Sequence, residues 1–165
     1  MERLVGSEMC IRDRNMIIWL TGQPGSGKTT LANKIIENLK EVNNIIHLDG
    51  DDLRAINKNQ DYSKQGRINN ISTAISIIRF LSNKNYTCIV SIVAPYAFLR
   101  DELKQEFKFI EVYLHTSKIR GREKFFAKDY EIPAKPSLSL DTGEKNVKEC
   151  TNEILDVYRK MATMA

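Results

Sequence analysis

Apolar and polar positions follow two rhythms along this chain, and the switches between them mark its elements. The run Met16-Ile17-Ile18-Trp19-Leu20 is apolar throughout, as a strand buried on both faces should be. Residues 31–40 carry Leu31, Ile35, Ile36 and Leu39 at helical spacing on a mostly polar background. Asn43-Asn44 breaks that helix, and Ile45-Ile46-His47-Leu48 predicts a short second strand. Residues 55–64 are mostly polar and irregular, with Tyr62 their one large aromatic. From 65 to 83 the spacing of Ile68, Ile71, Ile75, Ile78 and Leu81 predicts a long helix, and 86–93 reads as a third strand. Ala94-Pro95-Tyr96 ends that strand and leads into a helix of about ten residues over 97–106. A fourth strand follows over 107–114 and a short fifth over 137–140. Asp141-Thr142-Gly143-Glu144 reads as the cap of a final helix with Val147, Cys150, Ile154, Val157, Tyr158 and Met161 as its buried stripe.

Strands alternating with helices imply an α/β fold, a parallel sheet of about five strands with helices on both faces. The first loop specifies it further. Gly22-Gln23-Pro24-Gly25-Ser26-Gly27-Lys28-Thr29 follows the first strand and opens the first helix, as the phosphate-binding pattern G-x-x-x-x-G-K-[ST] must. Its glycines let backbone N–H groups turn inward around a phosphate chain, at the positive end of a helix dipole. Lys28 then reaches the outer phosphates, and the Thr29 hydroxyl can ligate Mg²⁺. The fold expected is therefore a three-layer P-loop NTPase-type domain that binds a nucleoside triphosphate.

Composition changes this picture only at its edges. The net charge of +4 on 165 residues suits small anionic ligands; no basic block with interleaved aromatics points to nucleic acid. No apolar run approaches the roughly 20 residues that span a bilayer, so neither a membrane nor a nucleic acid is expected as partner. Cys10, Cys88 and Cys150 lack metal-ligand spacing and read as thiols of a reducing, cytoplasmic compartment. Residues 1–15 have neither period nor apolar core, and read as a stray leader from a vector or a misread upstream frame. The single domain is expected over 16–165, with Met16 as the natural start.

Two further segments carry candidate chemistry. Asp49-Gly50-Asp51-Asp52 falls at the carboxyl end of the second strand, where α/β folds bind ligands, and three acids so close need a cation or donors to offset them. His47 reads as a satisfied core histidine. Residues 117–129 hold Lys118, Arg120, Arg122, Lys124 and Lys128 against Glu123 and Asp129, and read as a basic lid over phosphates. A solvated basic helix is the alternative. Arg67 and Asn70 share one face of the long helix and matter only if that face meets the site.

The phosphate loop, Asp49-Gly50-Asp51-Asp52-Leu53-Arg54, Tyr62-Ser63 with Arg67 to Ile71, Val93-Ala94-Pro95-Tyr96, residues 109–114, and Tyr130-Glu131-Ile132-Pro133 with Leu140-Asp141-Thr142 occur in the order seen in adenylylsulfate kinases. From Met16 onward the chain resembles that family. The resemblance implies phosphoryl transfer from MgATP to the ribose 3′-hydroxyl of adenylylsulfate, giving 3′-phosphoadenylylsulfate and ADP. It implies that Gly22, Gln23, Pro24, Gly25, Ser26, Gly27, Lys28, Thr29 and Thr30 hold the ATP phosphates, with Asp141 and Thr142 near the ATP base. Lys28, Asp49 and Asp51 would be catalytic, with Asp51 orienting or deprotonating the hydroxyl and Thr29 and Asp51 serving Mg²⁺. Arg54, Arg67 and Asn70 would hold the phosphosulfate and ribose, Tyr62 stands where a family Phe stacks on adenine, and Val93 and Pro95 line the same pocket. Members often form homodimers, and that expectation comes with the resemblance.

Two departures bear on the substrate. Ala94 replaces the usual Ser before Pro95, and the lid is much shorter than the family's, although Lys118, Arg120, Arg122 and Lys124 keep it basic. A related kinase acting on the 3′-hydroxyl of another activated nucleotide, such as cytidine diphosphoramidate, is therefore a second reading. A nucleotide-dependent switch or a non-catalytic regulatory domain is a third, without the Asn-Lys-x-Asp element that reads guanine.

Overall fold

The computed structural model describes residues 16–164; the segment 1–15 that the sequence reading takes as a leader, with Cys10, lies outside them. Five strands, β1 (Met16–Thr21), β2 (Ile45–Asp49), β3 (Thr87–Ser91), β4 (Lys108–His115) and β5 (Leu138–Asp141), form one sheet in the order β2-β3-β1-β4-β5, parallel at every pairing. The helices are α1 (Lys28–Asn38), α2 (Gly50–Asn57), α3 (Lys64–Asn83), α4 (Ala97–Asp101) and α5 (Val147–Thr163), with a 3₁₀ turn at Glu123–Phe125. Among the described residues no helix is long and apolar enough to cross a membrane.

β1 explains the layering. Side chains alternate across a strand, so a run apolar at every position must be covered on both sides. Met16, Ile18 and Leu20 enter one core with Leu31, Ala32 and Ile35 of α1 and Cys150, Ile154 and Leu155 of α5. Ile17 and Trp19 enter the other with Ile71, Ala74, Ile75 and Ile78 of α3. Trp19 is fully buried, and its indole N–H donates to the Ile92 carbonyl at 3.2 Å. The strands therefore end together on one rim of the sheet, and the chain leaves β1 at its centre, where open parallel sheets bind ligands.

Several boundaries differ from the sequence reading. The acidic segment at the end of β2 opens a helix, α2, which runs on into the stretch 55–64 read as irregular: the Asp49 carboxylate caps it by accepting the Asp51 N–H at 2.9 Å, and Asp51 and Asp52 favour its positive end. The helix expected over 97–106 is helical only over Ala97–Asp101 and continues as turns. The last helix is capped by Asn146 rather than by 141–144. Asn146 Oδ1 accepts the Glu149 N–H at 2.8 Å, and Glu149 Oε1 accepts the Asn146 N–H at 3.1 Å, a reciprocal capping box. Val147 is consequently exposed, and Leu155 takes its place in the core.

A buried ion pair joins this frame to the rim. Arg100 in α4 is 1% exposed and donates to Glu111 of β4 at 3.1 Å, while Lys104 reaches the other Glu111 oxygen at 3.0 Å. The same guanidinium donates to the carbonyls of Ala94 and Glu131, both at 2.6 Å. Ala94 needs such support, since its φ of 42° lies in the left-handed region that a side chain disfavours. Arg100→Met leaves Glu111 buried with Lys104 alone and frees two carbonyls. It is expected to cost about 3–5 kcal/mol, measured as a shift in the urea unfolding midpoint without a change in slope.

Candidate active site

The phosphate loop turns sharply because its glycines permit it. Gly22 passes so near the Leu114 carbonyl that a Cβ there would collide, and Gly27 opens α1 at φ 100°. The Gln23 carbonyl accepts the Ser26 N–H at 3.1 Å and Lys28 Nζ at 3.0 Å. Ser26 Oγ is buried without a hydrogen-bond partner among the described residues. Lys28 is itself buried, and desolvation pushes its ammonium down to about 8 despite the opposing pull of Asp49 and Asp51.

Beside the loop, two aspartates occupy opposite environments. Asp49 is 8% exposed and saturated: its Oδ2 accepts Thr29 Oγ1 and Ser91 Oγ, each at 2.7 Å, and its Oδ1 accepts the Asp51 N–H. Burial alone would raise its carboxyl, but these three donors hold it below the usual range. Ser91 spends its proton on Asp49, so His47 Nε2, 2.7 Å from Ser91 Oγ, must be the donor in that pair. Burial also lowers the His47 imidazolium, against the pull of Asp49 and Asp52; the ring is satisfied, as expected, though half-buried rather than in the core. The Asp51 side chain is 69% exposed, and among the described residues its one ion-pair partner is Arg122 Nη2 at 3.8 Å.

A cavity of about 350 Å³ opens between these groups. One end is Pro24, Gly25, Gly27, Lys28, Thr29 and Thr30; the other is Arg54, Tyr62, Arg67, Asn70, Val93 and Pro95, with Asp49 and Asp51 between. Asn70 lines the cavity and is 4% exposed; its Oδ1 is buried and has no hydrogen-bond partner among the described residues. Gly22, Gln23 and Ser26 do not line this space; they brace the loop from behind.

The lid is in place above it. Arg120 and Arg122 line the cavity, whereas Lys118 and Lys124 do not. Arg120 Nη1 donates to the Gly25 carbonyl at 3.0 Å and Nη2 to the Thr142 carbonyl at 2.9 Å, bridging the phosphate loop to the turn after β5. Thr142 Oγ1 donates to the Ser26 carbonyl at 2.7 Å, and Asp141 accepts the Gly143 N–H; both lie outside the cavity lining.

Both arginines assigned to the substrate are engaged inside the protein. Arg54 lies 4.1 Å over the Tyr62 ring and donates to the Asn59 and Asp61 carbonyls. Arg67 donates to the Tyr62 carbonyl at 3.0 Å and to the Phe125 carbonyl at 2.7 Å. Phe125, on the lid, faces Tyr62 with ring centroids 5.3 Å apart. Sequence reading missed Phe125 and Ser91. Phe125 carried a signal, an aromatic inside a basic segment; Ser91 carried none, because one serine in an apolar strand looks like any other.

Residues 14–125 match the family described as adenylylsulphate kinase. An adenylyl-sulfate kinase of Bacillus velezensis is 30% identical over 90% of this chain and 87% of its own length. A cytidine diphosphoramidate kinase of Campylobacter jejuni is 35% identical over 63% of this chain and 62% of its own. Among solved structures, the Mycobacterium tuberculosis APS kinase CysC in complex with AMPPNP and APS superposes with a TM-score of 0.75 at 22% identity, over 87% of this chain and 97% of that one. With two thirds of its length matched, beginning just before the strand that feeds the phosphate loop, the chain belongs to the adenylylsulphate kinase family.

Proposed function

We propose that the protein transfers the γ-phosphoryl group of ATP to the ribose 3′-hydroxyl of adenylylsulfate, giving 3′-phosphoadenylylsulfate and ADP in the cytoplasm. The observation that carries this reading is one cavity with a phosphate loop at one end, an aromatic, amide and arginine set at the other, and an exposed aspartate between them. Relatives named adenylyl-sulfate kinases over most of both chains support it.

The residues divide the work by environment. Asp51, exposed and loosely held, is the group free to accept the proton of the acceptor hydroxyl as its oxygen attacks phosphorus. Asp49 cannot do so, because both oxygens are already bonded and its carboxyl is held anionic. The Thr29 hydroxyl, oriented by the Asp49 carboxylate, and the exposed Asp51 carboxylate are oxygen donors that fit a hard cation, so Thr29 and Asp51 would hold Mg²⁺. When bound, Mg²⁺ neutralises charge on the transferring phosphoryl group. Lys28, Arg120 and Arg122 add positive charge where the β–γ bridge oxygen leaves as part of ADP. Asn70, in the cavity wall with its Oδ1 unpaired among the described residues, would turn that amide to a ribose hydroxyl, and the Tyr62–Phe125 pair offers an aromatic surface for the base.

A second acceptor, cytidine diphosphoramidate, is favoured by the 35% identity to the Campylobacter jejuni enzyme and by the short lid. Transfer to a ribose hydroxyl would use the same Asp51 and phosphate loop. The deciding experiment is ADP release from MgATP with adenylylsulfate, cytidine diphosphoramidate, AMP or no acceptor added singly. Release confined to adenylylsulfate, with product phosphorylated at the 3′-hydroxyl, is the expected result. Release only with the cytidine compound would reassign the acceptor, and slow release indifferent to all four would indicate a switch.

Asp51→Asn is expected to lower kcat by about a hundredfold or more while nucleotide binding survives, because a positioned base is lost. Near-normal turnover would remove Asp51 from that role. Lys28 gives a pH dependence of opposite origin. Phosphates bind its charged form and raise its pKa, so nucleotide binding takes up a proton above about pH 8. Affinity is expected to fall roughly tenfold between about pH 7 and about pH 9, and calorimetry in buffers of different ionisation heat should register the proton. A flat profile would contradict it.

A further inference from the structure

The second residue of the phosphate loop makes contacts that phosphate binding does not require. The Gln23 side chain is absent from the cavity wall and reaches the far end of the lid. Its Nε2 donates to the Ala127 carbonyl at 2.8 Å, and the Ala127 N–H donates to its Oε1 at 2.9 Å. One side-chain amide thus satisfies both polar groups of one residue, as a facing strand residue would. Ala127 is 4% exposed, so this pair is shielded from competing water.

The pair sits where the lid changes from exposed to anchored. Residues 117–124 are exposed throughout. From Ala127 onward the chain is tied to the body: Tyr130 Oη lies 2.7 Å from Thr21 Oγ1, the Glu131 N–H donates to the Pro95 carbonyl at 2.8 Å, and Glu131 Oε1 accepts the Ala97 N–H at 2.7 Å. Phe125, two residues before Ala127, is the ring that faces Tyr62, and its carbonyl holds Arg67. The Gln23 carbonyl meanwhile accepts Lys28 Nζ. One residue therefore faces the nucleotide half of the site through its main chain and the acceptor half through its side chain.

We propose that Gln23 is a positioning residue for the acceptor: its side-chain amide latches the root of the lid to the phosphate loop and thereby sets Phe125 against Tyr62. The kinetic consequence rests on the kinase reading above; the latch itself does not. An apolar chain of equal length at this position would leave the loop its backbone geometry and release the lid. The effect would then fall on the acceptor rather than on the nucleotide, the reverse of what a side chain serving ATP phosphates would give.

Hydrogen exchange of the unliganded wild-type protein tests the latch without any variant, since the Ala127 N–H should be strongly protected. In Gln23→Met that protection should drop, and trypsin should cut after the lid cations several-fold faster. With adenylylsulfate as acceptor, KM should rise about tenfold with kcat nearly kept, as loss of two hydrogen bonds implies, while Kd for a non-hydrolysable ATP analogue changes far less. Gln23→Glu, which keeps the acceptor oxygen and loses the donor, should move every readout in the same direction. Free exchange at Ala127 in the wild type would overturn the proposal. So would lid cleavage and acceptor KM unchanged in Gln23→Met, or a nucleotide Kd that rises in step with acceptor KM. If the exchange and cleavage results hold but no acceptor is phosphorylated, the kinase reading falls and the latch stands.

Discussion

A buried carboxylate needs donors, and the demand of Asp49 for them organises the rim of the sheet. The three groups that satisfy it come from three elements: the Thr29 hydroxyl from α1, the Ser91 hydroxyl from β3 and the Asp51 N–H from the first turn of α2. An unpaired charge at that depth would be strongly unfavourable, so none of the three can move independently. The same bonds that satisfy Asp49 cap α2 and carry Asp51 toward solvent, where its carboxylate stays open to a ligand. Two aspartates of one short motif are thus driven to different chemistry by burial alone.

Arg100 plays a matching structural part. It spans the pair with Glu111, the strained Ala94 and the Glu131 carbonyl, so the turn that carries Pro95 and the segment following the lid share one buried support. A short lid can work under these conditions because little of it is free. Arg120 ties its first half to Gly25 and Thr142, and Gln23 ties its end at Ala127. Arg54 and Arg67, which the family resemblance assigns to substrate, hold Tyr62, the loop before α3 and the Phe125 carbonyl. Both line the cavity, and their donors are committed to groups of the protein itself.

How much was legible follows the locality of each signal. β1, the phosphate loop and α1 were readable because strand, loop and helix are contiguous and each has its own period. The three parallel strands β2, β3 and β4 were recognisable as apolar runs, displaced by a residue or two at their ends. α2 was lost among polar residues although Asp49, Asp51 and Asp52 spelled its start, and the cap of α5 was placed five residues too early, because Asp141 resembles an N-cap. It ends β5 instead, accepting the Gly143 N–H within its own turn.

The sequence by itself determined the fold class, the loop that takes phosphates and the set of charged groups available to the reaction, since all of these depend on neighbours a few positions apart. Only the tertiary structure decided which groups work together. Gln23 meets Ala127 across 104 positions, Thr21 meets Tyr130 across 109 and Arg67 meets Phe125 across 58. Nothing in the local pattern encodes such pairs; they exist because a parallel sheet gathers the ends of its strands on one rim. The distinction between Asp49 and Asp51 has the same origin, because burial is a property of the assembled core, and two aspartates two residues apart are equivalent until that core forms.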